Sequence, residues 1–154
     1  MTNSKDYSLK LIAIKDRTEK EIRTKLKEKN YDELQIEEAV EFLVSYGYIN
    51  DSRYAEHFTN DAINLKKWGK ARIRTELLRK GVDRDTIDKT LQEAFSEIDP
   101  DRLLSQMESR FGNADFSNMK ERTRIFNFYL RRGYSPEEIK GAMNRMSSFR
   151  DIED

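Results

Sequence analysis

The sequence predicts an all-α fold, an elongated and curved array of three tandem three-helix repeats. A short phrase occurs three times, as Asn30-Tyr31-Asp32, Gly81-Val82-Asp83 and Gly133-Tyr134-Ser135. The middle residues of successive phrases lie 51 and 52 positions apart, and a fixed period of that size is the sequence signature of a repeat protein. Hydrophobic residues make up 36% of the chain and charged residues 38%, a balance that suits thin helical layers with much solvated surface.

Each phrase is expected to end one helix and to begin the next. Glycine or asparagine tolerates the left-handed backbone that closes a helix, and the Asp or Ser two positions later is a preferred N-cap. The apolar residue between them stands five positions before an isoleucine, which is the spacing of a hydrophobic staple. In the third phrase, Ser135 to Glu138 adds a capping box with proline at the first helical position.

The helix after each phrase carries the same apolar stripe. The offsets of 51 and 52 superimpose apolar residues at positions i, i+4 and i+7, the inward face of an amphipathic helix. The predicted buried residues are Ile36, Val40 and Leu43, then Ile87, Leu91 and Ala94, and finally Ile139, Met143 and Met146.

A middle helix precedes each phrase and carries a pair of buried residues. These helices are predicted from about Thr18 to Lys29, from Lys70 to Lys80 and from Lys120 to Arg132, with the pairs Ile22/Leu26, Ile73/Leu77 and Ile125/Tyr129.

The opening helices of the repeats are less alike. In the first repeat only the apolar stretch from Leu9 to Ile14 marks one, so we expect it to be abbreviated, as terminal repeats often are. Asn50 or Asp51 can cap the opening helix of the second repeat, and Asp99-Pro100 opens that of the third. Residues 1–154 then form one domain, divided into repeats of about 5–49, 50–98 and 99–149 with a short C-terminal tail at 150–154.

Composition excludes several classes of function. The chain has no cysteine and one histidine, which excludes disulfides and leaves no zinc site of the usual kind. It has no glycine-rich phosphate loop and no nucleophile motif, so we expect no catalytic residues, no cofactor, no metal and no small-molecule substrate. No apolar run reaches the length of a membrane span and the N-terminus has no signal-peptide core, so we expect a cytoplasmic protein that does not bind membranes.

Charge is balanced overall but sorted along the chain. The 29 basic and 29 acidic side chains give a net charge of zero. Between Lys66 and Arg84, however, eight basic residues stand against two acidic ones, while residues 32–41 hold five acidic residues and no basic one. An electrostatically polarised surface is the expected result.

Trp68 is the first candidate for a binding residue. It stands among cations next to Gly69, which opens a helix, and such a site suits an anionic partner. The alternative is that Trp68 packs at a helix junction while the lysines stay solvated. Because the equivalent positions in the other repeats are Arg17 and Lys120, the architecture itself does not require an apolar residue there.

Phe126 and Phe128 are the second candidates, because the other repeats carry charged residues at the equivalent positions, Arg23 and Arg74 for the first and Lys25 and Glu76 for the second. They form either extra internal packing, against the loop near Gly112 or the C-terminal segment, or an apolar patch for a protein partner, rimmed by arginines. His57 is interpreted as a structural or surface residue rather than a catalytic one.

Two runs of residues resemble the RecX regulators of bacterial recombination. One runs from Arg17 to Leu26 and the other from Tyr46 to Ala55, reading Tyr-Gly-Tyr-Ile-Asn-Asp-Ser-Arg-Tyr-Ala; the stretch from Gly69 to Val82 fits the family's next segment. The resemblance implies an all-helical array that binds RecA filaments in their helical groove. It also implies that the protein modulates, and mostly inhibits, the recombinase's ATPase, strand exchange and co-protease functions without catalysis of its own.

The leading hypothesis is therefore a monomeric, non-enzymatic regulator of RecA filaments that meets single-stranded DNA through the filament. The alternative is a helical-repeat protein that binds nucleic acid directly, without a recombinase. The residues predicted to contact the partner or nucleic acid are Lys66, Lys67, Trp68, Lys70, Arg72, Arg74, Arg79, Lys80, Arg122, Arg124, Phe126, Phe128, Arg131 and Arg132.

Overall fold

The fold is all-helical, as the sequence predicts. A computed structural model describes the backbone of residues 3–153 and the side chains of residues 3–147. Within this range nine α-helices and one π-helical turn follow one another. They are α1 (Ser4–Ile14), α2 (Glu19–Glu28), α3 (Glu33–Ser45), α4 (Asp51–Asp61), the π-helical turn (Ala62–Lys66), α5 (Lys70–Arg79), α6 (Arg84–Phe95), α7 (Arg102–Phe111), α8 (Met119–Arg131) and α9 (Pro136–Glu153).

The helices form three groups of three, each around a hydrophobic cluster of its own. In each group the first and third helices pack together, and the middle helix packs on the third. The predicted stripes and pairs are buried in these clusters, except Ala94, which is only partly buried. The accessible surface of 10135 Å² exceeds the about 8,100 Å² expected of a compact protein of this mass, in keeping with an elongated array. None of the described helices is both long and apolar enough to cross a membrane.

The capping boxes predicted at the repeated phrases form where the sequence places them. Asp32 with Gln35 makes a complete capping box at the start of α3. Thr18 with Glu21 makes another at the start of α2, which was not predicted. Ser135 and Glu138 exchange the same pair of hydrogen bonds at the start of α9. Because these bonds satisfy backbone N–H groups that the helix itself leaves unpaired, short sequence patterns are enough to fix the helix starts.

Two predictions about helices are corrected. The opening helix of the first group is not abbreviated, because α1 has 11 residues, as many as α4. Its inward face includes Ser4 and Ser8, which a search for apolar residues misses; both are buried, and the Ser8 hydroxyl donates to the Ser4 carbonyl at 2.6 Å. The opening helix of the third group begins at Arg102 rather than at Pro100, since the Asp99 carboxylate accepts the Asp101 N–H in a turn before it.

Two further predictions concern the third group, and the structure agrees with the first but not with the second. The predicted loop at Gly112 lies between α7 and α8. At the C-terminus, α9 continues to Glu153, through most of the segment predicted as a tail. Asp154, the last residue of that segment, lies outside the described residues.

Neighbouring groups are joined by a repeated junction. In each, the start of one middle helix is seated on the turn that ends the next middle helix along the chain. At the first junction the Thr18 hydroxyl donates to the Lys80 carbonyl at 2.6 Å. At the second, the Gly69 N–H donates to the Arg132 carbonyl at 2.7 Å and the Ala71 N–H donates to the Gly133 carbonyl at 3.1 Å.

The glycine of the repeated phrase is required at both junctions. Gly81 and Gly133 have φ angles of +89° and +98°, which L side chains rarely adopt. A Cβ atom on Gly81 would lie 2.4 Å from the Cβ of Lys20, and one on Gly133 would lie 2.4 Å from the backbone nitrogen of Arg72. The phrase therefore joins neighbouring groups as well as ending helices.

Candidate partner-binding surface

Half of the candidate residues meet at the second junction. The segment from Lys66 to Arg72 belongs to the second group, whereas Arg131 and Arg132 end α8 in the third. The Arg72 Nη1 group donates to the Arg131 carbonyl, and the Arg132 Nη1 group donates to the Lys66 carbonyl, at 3.2 and 3.0 Å. We call this surface, made by residues 66–72, 131 and 132, the basic junction.

The basic junction depends on a π-helical turn that the sequence analysis did not anticipate. After α4 the chain continues as Ala62–Lys66 and stops at Lys67, whose φ angle is +59°. A left-handed conformation is uncommon for a lysine and is kept only where the surrounding structure holds it. Here the Tyr134 hydroxyl donates to the Lys67 carbonyl at 2.9 Å.

A second side chain of the third group holds the same segment. The Arg102 Nη2 group donates to the carbonyls of Ile63 and Trp68, both at 3.0 Å. These carbonyls lie at the end of a helix, where backbone oxygens lack helical partners. The position of Lys67 and Trp68 is therefore set by side chains far away along the chain.

Trp68 agrees in part with each of its two interpretations, packing at a helix junction and a position among cations. It packs, half-buried, against the core of the second group, and its ring centroid lies 6.2 Å from that of Phe58. The Arg72 guanidinium carbon lies 4.2 Å from the Trp68 ring centroid, and the Lys66 Nζ atom lies 4.6 Å from it. These are cation–π contacts, so two cations of this chain already occupy a ring that could otherwise stack on a base.

Phe126 and Phe128 fit the internal-packing interpretation. Both are partly buried and pack against the core of the third group. Phe128 meets Phe111, next to the loop at Gly112, edge to face at 5.3 Å. Its ring also carries two guanidinium groups, with the carbons of Arg110 and Arg132 at 4.5 and 4.4 Å from the centroid. A partner would meet these arginines together with the aromatic ring.

The other cations of α5 have partners within the chain. Arg74 forms an ion pair with Asp88 on α6, and Arg79 lies 3.6 Å from Glu76. The Nζ atom of Lys80 lies 5.7 Å from the Phe58 ring centroid. Lys70 is exposed, with its Nζ atom 5.3 Å from the Phe95 ring centroid, and Arg79 is exposed as well, so both cations of α5 are open to a partner.

Arg122 and Arg124 are not part of the basic junction. They lie near the start of α8, and a separation of seven to ten residues from Arg131 and Arg132 corresponds to about 10–15 Å along a helix. The Arg122 guanidinium donates to the Phe116 carbonyl and to the Asn144 side chain, each at 3.2 Å. The Arg124 guanidinium carbon lies 5.7 Å from the Phe111 ring centroid.

The acidic segment on α3 is partly neutralised by α2. Arg23 donates two hydrogen bonds to the carboxylate of Glu37, at 2.6 and 3.2 Å. These hydrogen bonds lower the pKa of Glu37 and raise the pKa of Arg23. His57 is exposed, and its Nδ1 atom lies 3.7 Å from a carboxylate oxygen of Asp16, which agrees with a surface role.

Two tyrosines beside the basic junction were not identified as functional residues. Burial raises the pKa of Tyr129 to about 12 and also raises the pKa of Tyr134. The Tyr134 hydroxyl accepts from the Gln106 side chain at 2.8 Å, whereas the buried Tyr129 hydroxyl has no hydrogen-bond partner among the described residues. The repeat comparison explains both residues as apolar core positions, so no pattern in the sequence distinguishes their hydroxyl groups.

Comparisons with known proteins place the chain in a family. The family models described as "RecX, first three-helix domain" and "RecX, second three-helix domain" match residues 5–43 and 50–91. "Regulatory protein RecX" of Clostridium beijerinckii is 31% identical over 97% of this chain and 70% of its own length. The protein of the same name from Clostridium acetobutylicum is 34% identical over 94% of this chain and 69% of its own length.

Solved structures share the fold. The crystal structure of RecX from Lactobacillus salivarius superimposes with a TM-score of 0.76, at 22% sequence identity and with 94% of each chain covered. A second crystal structure of a regulatory protein RecX gives a TM-score of 0.75, with 92% of this chain and 70% of that chain covered. Since both the sequence and the helical array agree, this chain belongs to the RecX family of regulatory proteins.

Proposed function

We propose that the protein is a non-enzymatic regulator that binds RecA filaments on single-stranded DNA and chiefly inhibits their ATPase, strand exchange and co-protease activities. Membership of the RecX family is the observation that carries this proposal. The bacterial cytoplasm and a monomeric state belong to the same proposal, as does the division into repeats near residues 49 and 98. Direct DNA contact is secondary, since the chain has no net charge.

The basic junction is the part of the surface proposed to meet the filament. Lys67, Lys70 and Arg131 are exposed there, and they lie on both sides of the junction between two groups. Complementary charges of this kind raise the association rate and fix the orientation of two partners more than they add affinity. An extended series of helical groups presents such charges over a length that suits a filament.

The test uses a variant that reverses charge without removing a side-chain hydrogen bond or ion pair of the described residues. Arg72 and Arg74 are left unchanged, because they bind Arg131 and Asp88 within the chain. The variant is Lys67→Glu, Lys70→Glu and Arg131→Glu. Its matched control makes the same change of charge on exposed residues of the first group, Lys10→Glu, Lys15→Glu and Lys27→Glu.

The measurement is RecA ATPase activity on single-stranded DNA with substoichiometric amounts of each protein. We expect the wild-type chain and the control to inhibit, and the junction variant to lose most of its inhibition at moderate salt. Equal inhibition by the junction variant would remove the basic junction from the proposal. Absence of inhibition by the wild-type chain would overturn the regulatory function itself.

Labelled single-stranded DNA separates this function from direct nucleic-acid binding. A regulator should bind the DNA much more strongly when RecA is present, whereas a DNA-binding protein should bind equally well without it. Turnover of ATP by the purified chain alone would contradict a non-enzymatic function.

A further inference from the structure

The exposed face of α3 carries a row of apolar and acidic side chains. Leu34, Glu38, Phe42 and Tyr46 follow one another in steps of four residues, and side chains four positions apart lie on the same side of a helix. Leu34 is 69% exposed, and Tyr46, at the end of the helix, is 70% exposed. We call this surface the α3 patch and define it by Leu34, Glu38, Glu41, Phe42, Tyr46 and Tyr48.

We propose that the α3 patch binds a basic amphipathic helix of a protein partner. Such a helix presents apolar side chains on one face with lysine or arginine beside them. The patch belongs to the first group, whereas the basic junction joins the second and third groups. This second binding surface therefore goes beyond the proposed function and does not rest on it.

The aromatic side chains of the α3 patch form a cluster at the surface. The Phe42 ring, which is partly buried against the core of the first group, lies 4.8 Å from the Tyr46 ring and 6.4 Å from the Tyr48 ring, between centroids. Four of the nine exposed large hydrophobic residues among the described side chains lie between Leu34 and Tyr48. Exposed apolar clusters mark protein interaction sites, and tyrosine is enriched among the residues that contribute most to binding.

The helical array does not require apolar residues at these positions. Under the offsets of 51 and 52, the equivalent residues of the other groups are charged: Asp85 and Glu137 for Leu34, Glu93 and Arg145 for Phe42, Glu97 for Tyr46 and Asp99 for Tyr48. The same fold therefore forms with a charged surface here. Contact with a partner explains the apolar side chains of the first group better than internal packing does.

The α3 patch also carries acidic charge that the chain leaves unpaired. α3 contains four acidic residues and no basic one, and Arg23 pairs with Glu37. Among the side chains of residues 3–147, no basic group lies within 4.0 Å of the carboxylate of Glu38 or of Glu41. Carboxylates beside exposed rings are complementary to a partner whose cations lie next to apolar side chains.

Two cations of this chain lie at the edge of the patch. The Lys5 Nζ atom is 5.6 Å from the Phe42 ring centroid, and the Arg53 Nη2 group donates to the Gly47 carbonyl at 3.1 Å. The contact between Lys5 and Phe42 is of the cation–π kind. A lysine of the partner would make the same contact with the exposed ring of Tyr46.

The length of the patch suits a helix. Leu34 and Tyr46 are 12 positions apart, which corresponds to about 18 Å along a helix. A partner helix of about three turns covers the same length and presents its apolar residues at the matching spacing of i, i+3, i+4 and i+7. The acidic charge of this face repels phosphate, so it disfavours anionic lipid and nucleic acid as occupants.

The experiment follows the fluorescence anisotropy of a labelled lysine–leucine peptide during titration with the full chain. The peptide has about 14 residues, with leucine spaced to form one apolar face of a helix. We expect saturable binding of one equivalent that weakens as salt is added. A glutamate–leucine peptide of the same spacing should not bind.

One pair of variants tests the apolar part of the patch. Leu34→Ser with Tyr46→Ser should weaken peptide binding about tenfold or more. The matched control is Leu65→Ser with Met119→Ser, which removes side chains that are 77% and 74% exposed outside the first group. The control should bind as the wild-type chain does, and thermal unfolding checks that both variants fold.

A second pair tests the acidic part. Glu38→Gln with Glu41→Gln should weaken binding about threefold or more and reduce its dependence on salt. Glu93→Gln with Glu97→Gln removes the same charge from exposed residues in the second group, so it should leave peptide binding unchanged.

Several results would overturn the proposal. They are the absence of saturable binding, equal losses in the patch variants and their controls, and equally tight binding of the glutamate–leucine peptide. Self-association of the chain that Leu34→Ser with Tyr46→Ser abolishes, measured by sedimentation velocity, would assign the patch to a second copy instead.

The RecA ATPase assay separates the patch from the regulatory function. We expect the patch variants to inhibit as strongly as the wild-type chain. Loss of inhibition in both patch variants, with inhibition retained by both controls, would place the filament on the α3 patch and overturn a separate partner.

Discussion

Gly69 and Gly133 pack backbone against backbone at the second junction. A Cβ atom on Gly69 would lie 2.5 Å from both the carbonyl carbon and the carbonyl oxygen of Gly133. The close approach allows the N–H groups of residues 69 and 71 to donate to carbonyls of the turn. This contact brings the two halves of the basic junction together, so it links the fold to the proposed function.

Replacing Gly133 with alanine should destabilise the protein by about 2–4 kcal/mol. The φ angle of +98° and the 2.4 Å approach of a Cβ to the Arg72 nitrogen combine backbone strain with a steric clash. Urea unfolding monitored by circular dichroism measures the free energy of unfolding. The control is Gly141→Ala in α9, where a Cβ meets nothing within 4 Å; it should stabilise by up to about 1 kcal/mol. Equal effects of the two substitutions would show that the junction is not tightly packed.

Exchanging asparagine and glycine between the first and second phrases should have unequal effects. Asn30 already carries a Cβ atom at a φ angle of +68°, in an exposed turn. Asn30→Gly should therefore change the free energy of unfolding by less than about 1 kcal/mol. Gly81→Asn should destabilise by about 1–3 kcal/mol, because its Cβ would lie 2.4 Å from the Cβ of Lys20. Chemical denaturation compares the two, and a harmless Gly81→Asn would contradict the first junction as described.

Two fully buried threonines should respond in opposite directions to replacement by valine. The Thr59 hydroxyl has no hydrogen-bond partner within the described part of the chain, so Thr59→Val should stabilise by about 1 kcal/mol or more as an unpaired polar group is removed. Thr18 caps α2 and donates to the Lys80 carbonyl, so Thr18→Val should cost about 1–3 kcal/mol. Thermal melts of both variants make the comparison, and a loss of stability in Thr59→Val would mean that its hydroxyl has an acceptor.

The pH dependence of stability should differ between Asp51 and Asp83. Burial raises the pKa of Asp51 in the folded protein. The contribution of Asp51 to the free energy of unfolding is therefore most favourable below about pH 4, the ordinary pKa of an aspartate. It is lost as the pH rises through the raised pKa of the folded state. Asp51→Asn keeps an acceptor for the Glu19 N–H and should be more stable than wild type at neutral pH. That advantage should vanish as the pH falls to about 4.

Asp83 provides the opposite case. Hydrogen bonds from the backbone and hydroxyl of Thr86 lower the pKa of Asp83. The contribution of Asp83 to the free energy of unfolding is therefore present above about pH 4, and it is lost as the pH falls through the lowered pKa of the folded state. Asp83→Asn keeps an N-cap and should be less stable than wild type at neutral pH. Urea midpoints measured between pH 3 and pH 8 test both aspartates, and the same sign for both would contradict these assignments.

Local sequence patterns predict the helices because the forces that form them are local. The capping box at Thr18 involves residues three positions apart, and the stripe from Ile36 to Leu43 spans two turns of one helix. The prediction fails for α1, where buried Ser4 and Ser8 do not look like a core face. It fails again at the π-helical turn. The guanidinium groups of Arg102 and Arg132 help to hold this turn by donating to its backbone carbonyls.

The sequence predicts the two segments of the candidate site separately but not that they meet. The sequence identifies residues 66–74 by their charge, and Arg131 and Arg132 as basic residues beside an aromatic helix. It does not show that Arg132 lies against Lys66, because these residues are 66 positions apart. It also gives no sign that Arg102 donates to the Ile63 and Trp68 carbonyls, or that the Tyr129 hydroxyl lacks a partner among the described side chains.

By itself the sequence determined the helices, their period and the family resemblance, since caps, stripes and helix ends depend on residues a few positions apart. Only the tertiary structure decided why the repeated phrase contains glycine at its second and third occurrences but asparagine at its first. At Gly81 and Gly133 the preceding middle helix approaches to distances that exclude a Cβ atom, whereas Asn30 carries its Cβ atom at a φ angle of +68° in an exposed turn. The same junction gathers the separated cations of the chain into one surface, because backbone contact there leaves the arginine and lysine side chains at its edge.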